Sequence, residues 1–429
     1  MTKAFSRLRP RILLLSSAVI LAWSGLTIRF FYIQVVRGSE LRELGRHQGE
    51  NKVTLPAVRG TIYDRNHLPL AENVVHYSFA VHPGKVENKE AIISALAQVT
   101  HRSREYYEEK LRSGGKFVYL ERNLRNDICR PLLNLEDEGL IIHRHGYRFY
   151  PHHNIASQIV GFTNTDNLGL EGIEKEFDGR LKGRDGWIIL QTDGKGRSRK
   201  KQDFPKHEPL DGSDIILTID LEYQAILQDE LLRRVETTGA RGAYGIVIDP
   251  QSGKILAMAS LPDFDPNDHL ASPPDHYKNR VIADQFEPGS TLKIVPATAA
   301  LTLRTVEIDQ EFNCEDGSYN FRGTLIKDWS DFGLLTFPQI IEHSSNVGII
   351  KIAETVGAEN LYLFARKFGF GVPSGIQFPG EARGVLKPVR EWSTISLAEM
   401  SLGHEISVTV LQLAYAYGAI ANGGFLMRP

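Results

Sequence analysis

The stretch Phe286-Glu287-Pro288-Gly289-Ser290-Thr291-Leu292-Lys293 stands where a turn gives way to an apolar helical run. Pro-Gly favours a turn, so the pattern predicts Ser290 at or near a helix N-terminus, with Lys293 one turn later on the same face. A serine hydroxyl is a poor nucleophile until a base takes its proton, and an amine held by burial or neighbouring cations can be that base. The stretch therefore predicts serine acyl transfer, with Ser290 as nucleophile and Lys293 as general base.

A second polar element decides between this Ser-x-x-Lys pattern and two others, Ser113–Lys116 and Ser198–Lys201, which lie in glycine- or charge-rich stretches. Ser344-Ser345-Asn346 follows downstream of Ser290. Ser344 could relay a proton to a leaving amine, and the Asn346 amide offers a donor and an acceptor to a peptide backbone. Alone, these residues would be read as a helix cap or a polar loop. Paired with Ser290 and Lys293, they favour the active-site interpretation.

The surrounding pattern predicts an α+β domain that begins near Asp211, with helices packed on an antiparallel sheet. Two apolar runs joined by a Gly-containing loop predict a hairpin. The predicted strands are 215–219, 244–248 and 254–259, and the predicted helices are 221–232, 291–303, 337–355, 358–368 and 408–421.

Composition narrows the function classes. The 429 residues are 42% hydrophobic and 24% charged with a net charge of −2, which excludes a disordered chain and argues against a nucleic-acid binder. Cys129 and Cys314 allow at most one disulfide and cannot form a four-ligand zinc site. The histidine-rich segment 143–153 lacks metal-ligand spacing, so a solvated hairpin is preferred over a metal site there. No Walker loop or dinucleotide fingerprint is present, so we expect no metal, nucleotide or flavin.

The N-terminus predicts a membrane anchor. Lys3, Arg7, Arg9 and Arg11 precede an uncharged run from Ile12 to Ile28, and the apolar stretch continues to Val36. Cations before the run place the N-terminus in the cytoplasm and the rest of the chain outside. The alternative is a cleaved signal peptide, with Ala22 and Ser24 before a cleavage site at Gly25.

Several motifs in order resemble those of the class B penicillin-binding proteins. The residues that carry this resemblance are Arg59-Gly60-Thr61-Ile62-Tyr63-Asp64-Arg65-Asn66, Gly169-Leu170-Glu171-Gly172, Phe286-Glu287-Pro288-Gly289-Ser290 and Lys327-Asp328-Trp329. His67 departs from the usual glycine. The motif Phe286–Ser290 is similar to the corresponding motif in the cell-division subtype of this family.

The resemblance implies a three-part organisation: a tail and anchor at 1–36, a non-catalytic pedestal or dimerisation-type domain at 37–210, and a transpeptidase domain at 211–429. It also implies cross-linking of peptidoglycan stem peptides at the septum and acylation by β-lactams. The expected partners are the membrane and divisome proteins, including a SEDS-family glycosyltransferase. No cofactor and no nucleic acid are expected.

One departure concerns the family's third element, Lys-Thr/Ser-Gly, which does not occur after Asn346. The last residues resemble a point before that element. We therefore expect the sequence to be truncated or partial at its C-terminus, and residues 1–429 alone to acylate negligibly. Two other functions stay open: a non-catalytic divisome scaffold, and a membrane-bound β-lactam sensor or hydrolase.

Overall fold

The computed structural model describes residues 2–41, 50–113, 115–192, 198–199 and 205–429. Lys201 of the Ser198–Lys201 pattern lies outside this description, and so do the side chains of the four cations before Ile12. The chain divides into two units. One comprises Met1–Ala57 with Arg184–Leu210, and the other comprises Val58–Gly183 with Asp211–Pro429.

The first unit begins with a long apolar helix, Thr2–Phe31, which continues as a π-helical turn at Tyr32–Val36. Within it, Ile12–Val36 has a mean hydropathy of 1.7 and is long enough to cross a bilayer. Its apolar side chains are exposed all round, as a lipid-facing helix requires and a core helix does not show. The strands of this unit are Glu50–Leu55, Gly186–Thr192, Ser198–Arg199 and Lys206–His207.

The second unit contains an antiparallel sheet whose central strand, Pro69–Val81, lies between Val118–Arg125 and Leu140–Phe149. Helices Lys89–Thr100 and Arg104–Ser113 pack on one face of it. Shorter pieces complete this region. They are the strands Ile62–Tyr63 and Ile215–Ile216 and the helices Asn126–Cys129, Arg130–Asn134, Ser157–Val160, Gly172–Glu176 and Asp178–Leu181.

The histidine-rich segment is a strand of this sheet and not a solvated hairpin. Residues 143–149 pair in register with 72–78 of the central strand, which buries part of the segment. Two of its histidines have polar partners in the protein: His145 Nε2 lies 2.6 Å from Asn123 Oδ1, and His153 Nδ1 lies 2.8 Å from Asp265 Oδ2. No group of three possible metal ligands occurs among the described residues.

The predicted hairpin and the helix before it are confirmed. Ala243–Ile248 pairs antiparallel with Ile255–Leu261, and the helix Leu221–Thr238 packs on the pair. Asp220 caps this helix, and Gly239 ends it at φ +67°. The helix buries Gln224, whose amide bonds both main-chain groups of Met258.

Helices surround a second core that is built of apolar side chains from residues 292 to 416. The helices of this part are Arg280–Ala283, Ile294–Leu303, Phe337–Glu342, Asn346–Val356, Ala358–Lys367, Ser396–Leu402 and Val410–Ala421. The short strands are Glu311–Asn313, Ser318–Phe321, Thr324–Lys327, Leu334–Thr336, Val385–Leu386 and Ile406–Ser407.

Candidate active site

Ser290 lies in a tight 3-10 turn, Gly289–Lys293, that leads directly into the helix Ile294–Leu303. The predicted start of the α-helix at residue 291 is therefore about one turn early, because i→i+3 bonds tighten the first turn. Gly289 has φ +58°, which lets the chain reverse just before the serine. Ser290 is exposed, and its hydroxyl makes no hydrogen bond to any residue the structure describes.

A second segment holds this turn in place. Gly289 donates its N–H to the carbonyl of Gly403 at 3.1 Å, and Phe286 and Val408 exchange two main-chain bonds of 3.0 Å. Gly403 has φ +84°, and a Cβ at this position would lie 2.0 Å from the carbonyl oxygen of Gly289. Only glycine fits there, so the backbone before Ser290 depends on this close approach.

Lys293 is buried, with 4% of its surface exposed, and its amine is held by three oxygen acceptors. Nζ donates to the carbonyl of Ser344 at 2.6 Å, to Ser344 Oγ at 3.0 Å and to Asn346 Oδ1 at 2.9 Å. Burial lowers the pKa of Lys293 to about 8, although the nearby charge of Asp328 raises it in part. The amine can therefore lose its proton near neutral pH, as a general base must.

The prediction of one helix over 337–355 is wrong, because the structure has two helices with a break between them. This break allows Ser344 to reach Lys293. Phe337–Glu342 ends at His343, and a new helix begins at Asn346. Ser344 lies between them at φ +53°, a left-handed conformation that costs roughly 1–2 kcal/mol for a non-glycine residue. In this conformation both the carbonyl and the hydroxyl of Ser344 accept from Lys293, which offsets that cost.

Asn346 lies at the start of the second helix with both ends of its amide occupied. Oδ1 accepts from Lys293, and Nδ2 donates to the carbonyl of Lys327 at 2.9 Å. The amide therefore fixes the lysine in the ligand-free protein. Its contact with a peptide backbone stays a prediction.

Asp328 organises the Ser344–Asn346 segment, and the sequence pattern gave it no role beyond family resemblance. Oδ2 accepts from Ser345 Oγ at 2.7 Å, and Oδ1 accepts the main-chain N–H of Asn346 and that of Val347. Ser345 Oγ in turn accepts from Gly348 N at 2.9 Å as the helix cap. A carboxylate at a helix N-terminus is stabilised by the orphan N–H groups and the helix dipole.

Trp329 forms the rim of the same segment. Its indole N–H donates to the carbonyl of His343 at 2.8 Å, and its ring meets Phe332 edge-on at 5.2 Å. Phe332 stacks on His343 at 5.4 Å. Residues 327–329 therefore hold residues 343–347 in place through the Lys327 carbonyl, the Asp328 carboxylate and the Trp329 indole.

Among the described residues, the Ser113–Lys116 pattern shows no such arrangement. Ser113 ends the helix Arg104–Ser113, and its hydroxyl donates to the carbonyl of Glu109 at 2.7 Å. The cysteines are separate and reduced: Cys129 and Cys314 are both buried and free. Cys314 lies under the site, where its sulfur accepts weakly from Ser345 Oγ at 3.6 Å.

Two families of known proteins match the chain. Residues 54–217 match the penicillin-binding protein dimerisation domain, and residues 243–429 match the penicillin binding protein transpeptidase domain. Ser290, Lys293, Ser344 and Asn346 all lie in the second match.

Named relatives cover almost the whole chain. It is 31% identical over 421 residues to the probable peptidoglycan D,D-transpeptidase PenA of Neisseria meningitidis serogroup A. The match covers 97% of this chain and 72% of that protein. It is 30% identical over 426 residues to the peptidoglycan D,D-transpeptidase FtsI of Escherichia coli K12. That match covers 98% of this chain and 72% of FtsI.

A solved structure agrees with the fold. The crystal structure of penicillin binding protein 3 from Mycobacterium tuberculosis, complexed with aztreonam, matches with a TM-score of 0.64 at 27% identity. The match covers 87% of this chain and 66% of that chain.

Proposed function

The chain belongs to the penicillin-binding peptidoglycan D,D-transpeptidases, and on that premise we propose that it cross-links stem peptides through an acyl-enzyme on Ser290. One observation carries the assignment of residues. The buried amine of Lys293 stands one turn from the exposed hydroxyl of Ser290 and has a pKa of about 8. A positioned base next to a free hydroxyl is what serine acyl transfer requires.

In the first half-reaction, Ser290 Oγ attacks the carbonyl carbon of the penultimate D-Ala, and its proton passes to neutral Lys293. The bond from that carbon to the nitrogen of the terminal D-Ala breaks. The leaving nitrogen takes a proton through Ser344, whose Oγ is 3.0 Å from Lys293 Nζ. An ester on Ser290 remains, and free D-Ala departs.

In the second half-reaction, an amine of another stem peptide attacks the ester carbon and gives up a proton. The Ser290 oxygen leaves and regains its proton, and an amide joins the two peptides. Asn346 would orient the peptide backbone with its amide once substrate loosens one of its two bonds. The main-chain N–H of Ser290 would stabilise the oxyanion, as the family resemblance implies.

A β-lactam would enter the same chemistry. Attack by Ser290 opens the lactam amide, and the released nitrogen stays attached to the acyl group. The ester then persists because no leaving group departs. Peptidoglycan and β-lactams are therefore the ligands of this site.

The protein is a single-pass membrane protein, since Ile12–Val36 is its one described helix that is long and apolar enough to span a bilayer. We place the N-terminus in the cytoplasm because Lys3, Arg7, Arg9 and Arg11 precede the span. The enzymatic part then lies on the outer side, where peptidoglycan is.

A division role and divisome partners, including a SEDS-family glycosyltransferase, complete the proposal. Phe286-Glu287-Pro288-Gly289-Ser290 supports the division subtype, and one relative, of which the match covers 72%, is named FtsI. A transpeptidase needs newly made glycan strands to join, so a glycosyltransferase is the expected neighbour.

Labelling by a fluorescent penicillin tests the proposal on the protein expressed from its whole reading frame. We expect one covalent label, on the peptide that contains Ser290, and none in Ser290→Ala. Label on Ser113 or Ser198 would contradict the assignment. Rapid loss of the label by hydrolysis would support a β-lactam hydrolase in place of a transpeptidase.

A further inference from the structure

One face of the sheet whose central strand is Pro69–Val81 carries several aromatic and imidazole rings. The helices Lys89–Thr100 and Arg104–Ser113 cover the opposite face, where Phe79 and Leu120 are fully buried. Because side chains alternate along a strand, Ala80, Ser78 and His76 point the other way. We call the surface over them the ring face. It comprises Phe117, Tyr119, Arg122, Asn123, His143, His145 and Tyr147.

Three of these rings, Phe117, Tyr119 and His143, contact one another. Phe117 meets Tyr119 edge-on at 5.0 Å, and Tyr119 lies 6.2 Å from His143. The guanidinium of Arg122 lies over the Tyr119 ring at 3.9 Å. Phe117 is 41% exposed although it is apolar, so it offers a flat surface at the upper end of the ring face.

At its lower end the ring face runs into a small polar cavity of about 80 Å³. His145, Tyr147 and Asn123 line one side, and Thr165, Asn167 and Asn267 line the other. The cavity exceeds several-fold the volume that one water molecule needs. Among the described lining residues there is no carboxylate, and the one arginine, Arg148, bonds Glu174 through Nε while its buried Nη2 has no partner.

The cavity offers uncharged hydrogen-bonding groups that have no partner within the protein. Thr165 Oγ1, the Asn167 amide and the Tyr147 hydroxyl make no hydrogen bond to other described residues. Burial lowers the pKa of His145, which favours a neutral imidazole, and its Nε2 is already paired with Asn123 Oδ1 at 2.6 Å. Amide, hydroxyl and imidazole groups suit a ligand that is polar and uncharged.

We propose that the ring face and its cavity bind a glycan strand built of N-acetylated amino sugars. Sugar rings have an apolar face of C–H groups that packs on aromatic rings, as Phe117 and Tyr119 provide. Their hydroxyls need uncharged hydrogen-bonding partners, as the cavity provides. An acetamido group, one acceptor and one donor, matches the unpaired amide of Asn167.

The identity of the natural glycan rests on the proposed function, since a peptidoglycan cross-linking enzyme works beside such strands. A nucleic acid would need a larger excess of cations. A protein partner is the other occupant that the binding test distinguishes. The surface would hold a strand while its stem peptide is processed at Ser290.

Calorimetric titration with two tetrasaccharides tests the site. Chitotetraose carries acetamido groups, and cellotetraose has hydroxyls in their place. We expect saturable binding of chitotetraose, at least tenfold weaker in Phe117→Ala/Tyr119→Ala. Asn167→Asp keeps the shape but loses the amide donor, and it should remove the preference for chitotetraose. Tyr223→Ala, a comparably exposed aromatic on the helix Leu221–Thr238, is the matched control and should bind normally.

Absence of saturable binding up to about 10 mM sugar would overturn the proposal. So would an equal loss in Tyr223→Ala. If neither sugar binds and Phe117→Ala/Tyr119→Ala loses a co-purifying protein, the surface is a protein-docking face and the proposal is wrong. Because neither sugar carries a stem peptide, the titrations test glycan binding alone. Penicillin labelling of Ser290 in the same variants tests the proposed function separately.

Discussion

Lys293 Nζ donates to the carbonyl of Ser344 at 2.6 Å, the shortest of three hydrogen bonds that use all its protons. An ammonium group with three acceptors is fully satisfied, which explains how a buried cation is tolerated. When the amine loses a proton, one acceptor loses its donor. Ser344 Oγ is the acceptor that can reverse, because a hydroxyl can rotate and donate back to the nitrogen. That reversal supplies the proton path from Lys293 through Ser344.

The first prediction concerns the base itself. Lys293→Ala should slow acylation by penicillin by about 10²–10⁴-fold, the usual cost of losing a positioned general base. The rate of fluorescent labelling measures it. Lys367→Ala, an exposed lysine at a helix end, should label at the normal rate. Near-normal labelling of Lys293→Ala would remove this residue from the mechanism.

The second prediction concerns pH. The reactive form has Lys293 neutral, and its pKa is about 8. The neutral fraction rises as pH increases through that value, so the acylation rate should rise between about pH 7 and 9 and then level off. Single-turnover labelling at constant ionic strength gives the profile. A rate that is flat over this range would show that deprotonation of Lys293 does not limit acylation.

The third prediction separates the charge of Asp328 from its place in the structure. Its negative charge raises the pKa of Lys293, so Asp328→Asn should lower that pKa and move the rising limb to lower pH. The plateau rate should also fall, because the segment 343–347 loses a charged acceptor. Asp331→Asn, an exposed neighbour, is the control. A lower rate without a shifted profile would leave Asp328 a purely structural role.

The fourth prediction distinguishes the roles of the adjacent serines Ser344 and Ser345. Ser345 is fully buried and both caps a helix and donates to Asp328. Ser345→Ala should lower the free energy of unfolding by about 1–3 kcal/mol, since a cap is lost and a partly buried carboxylate oxygen loses a partner. Ser344→Ala should slow acylation with a smaller loss of stability. Denaturant unfolding together with labelling rates measures both, and the reverse ranking would contradict the assignment.

The sequence predicts local structure and the reacting pair, and it fails where distant segments meet. Asp220 marks the start of its helix, whose predicted end at residue 232 falls six residues short of the observed end at Thr238. The three-residue spacing of Ser290 and Lys293 is enough to propose a base and a nucleophile. The break at Ser344 lies in the polar run 342–346, which separates the apolar residues of the two flanking helices, and the prediction of one helix over 337–355 passes over it. Asp328 is hidden for another reason. Two of its three hydrogen-bond partners are main-chain N–H groups, which are the same in every sequence, so no residue pattern indicates those contacts.

Gly403 gives the last prediction, because its contact reaches the nucleophile only through the backbone. Alanine there meets two costs: a left-handed φ of +84° and a Cβ 2.0 Å from the carbonyl oxygen of Gly289. Gly423 has φ +87° and open space around its Cβ site, so Gly423→Ala carries the first cost without the second. We expect Gly423→Ala to lose roughly 1–2 kcal/mol of stability and to label normally. Gly403→Ala must push the turn away from its position, and a displacement of about 1 Å at a reacting group can cost 10²-fold in rate. Labelling rates and thermal unfolding of both variants, measured side by side, isolate the contact. If the two variants behave alike, the approach of Gly403 to Gly289 does not position Ser290.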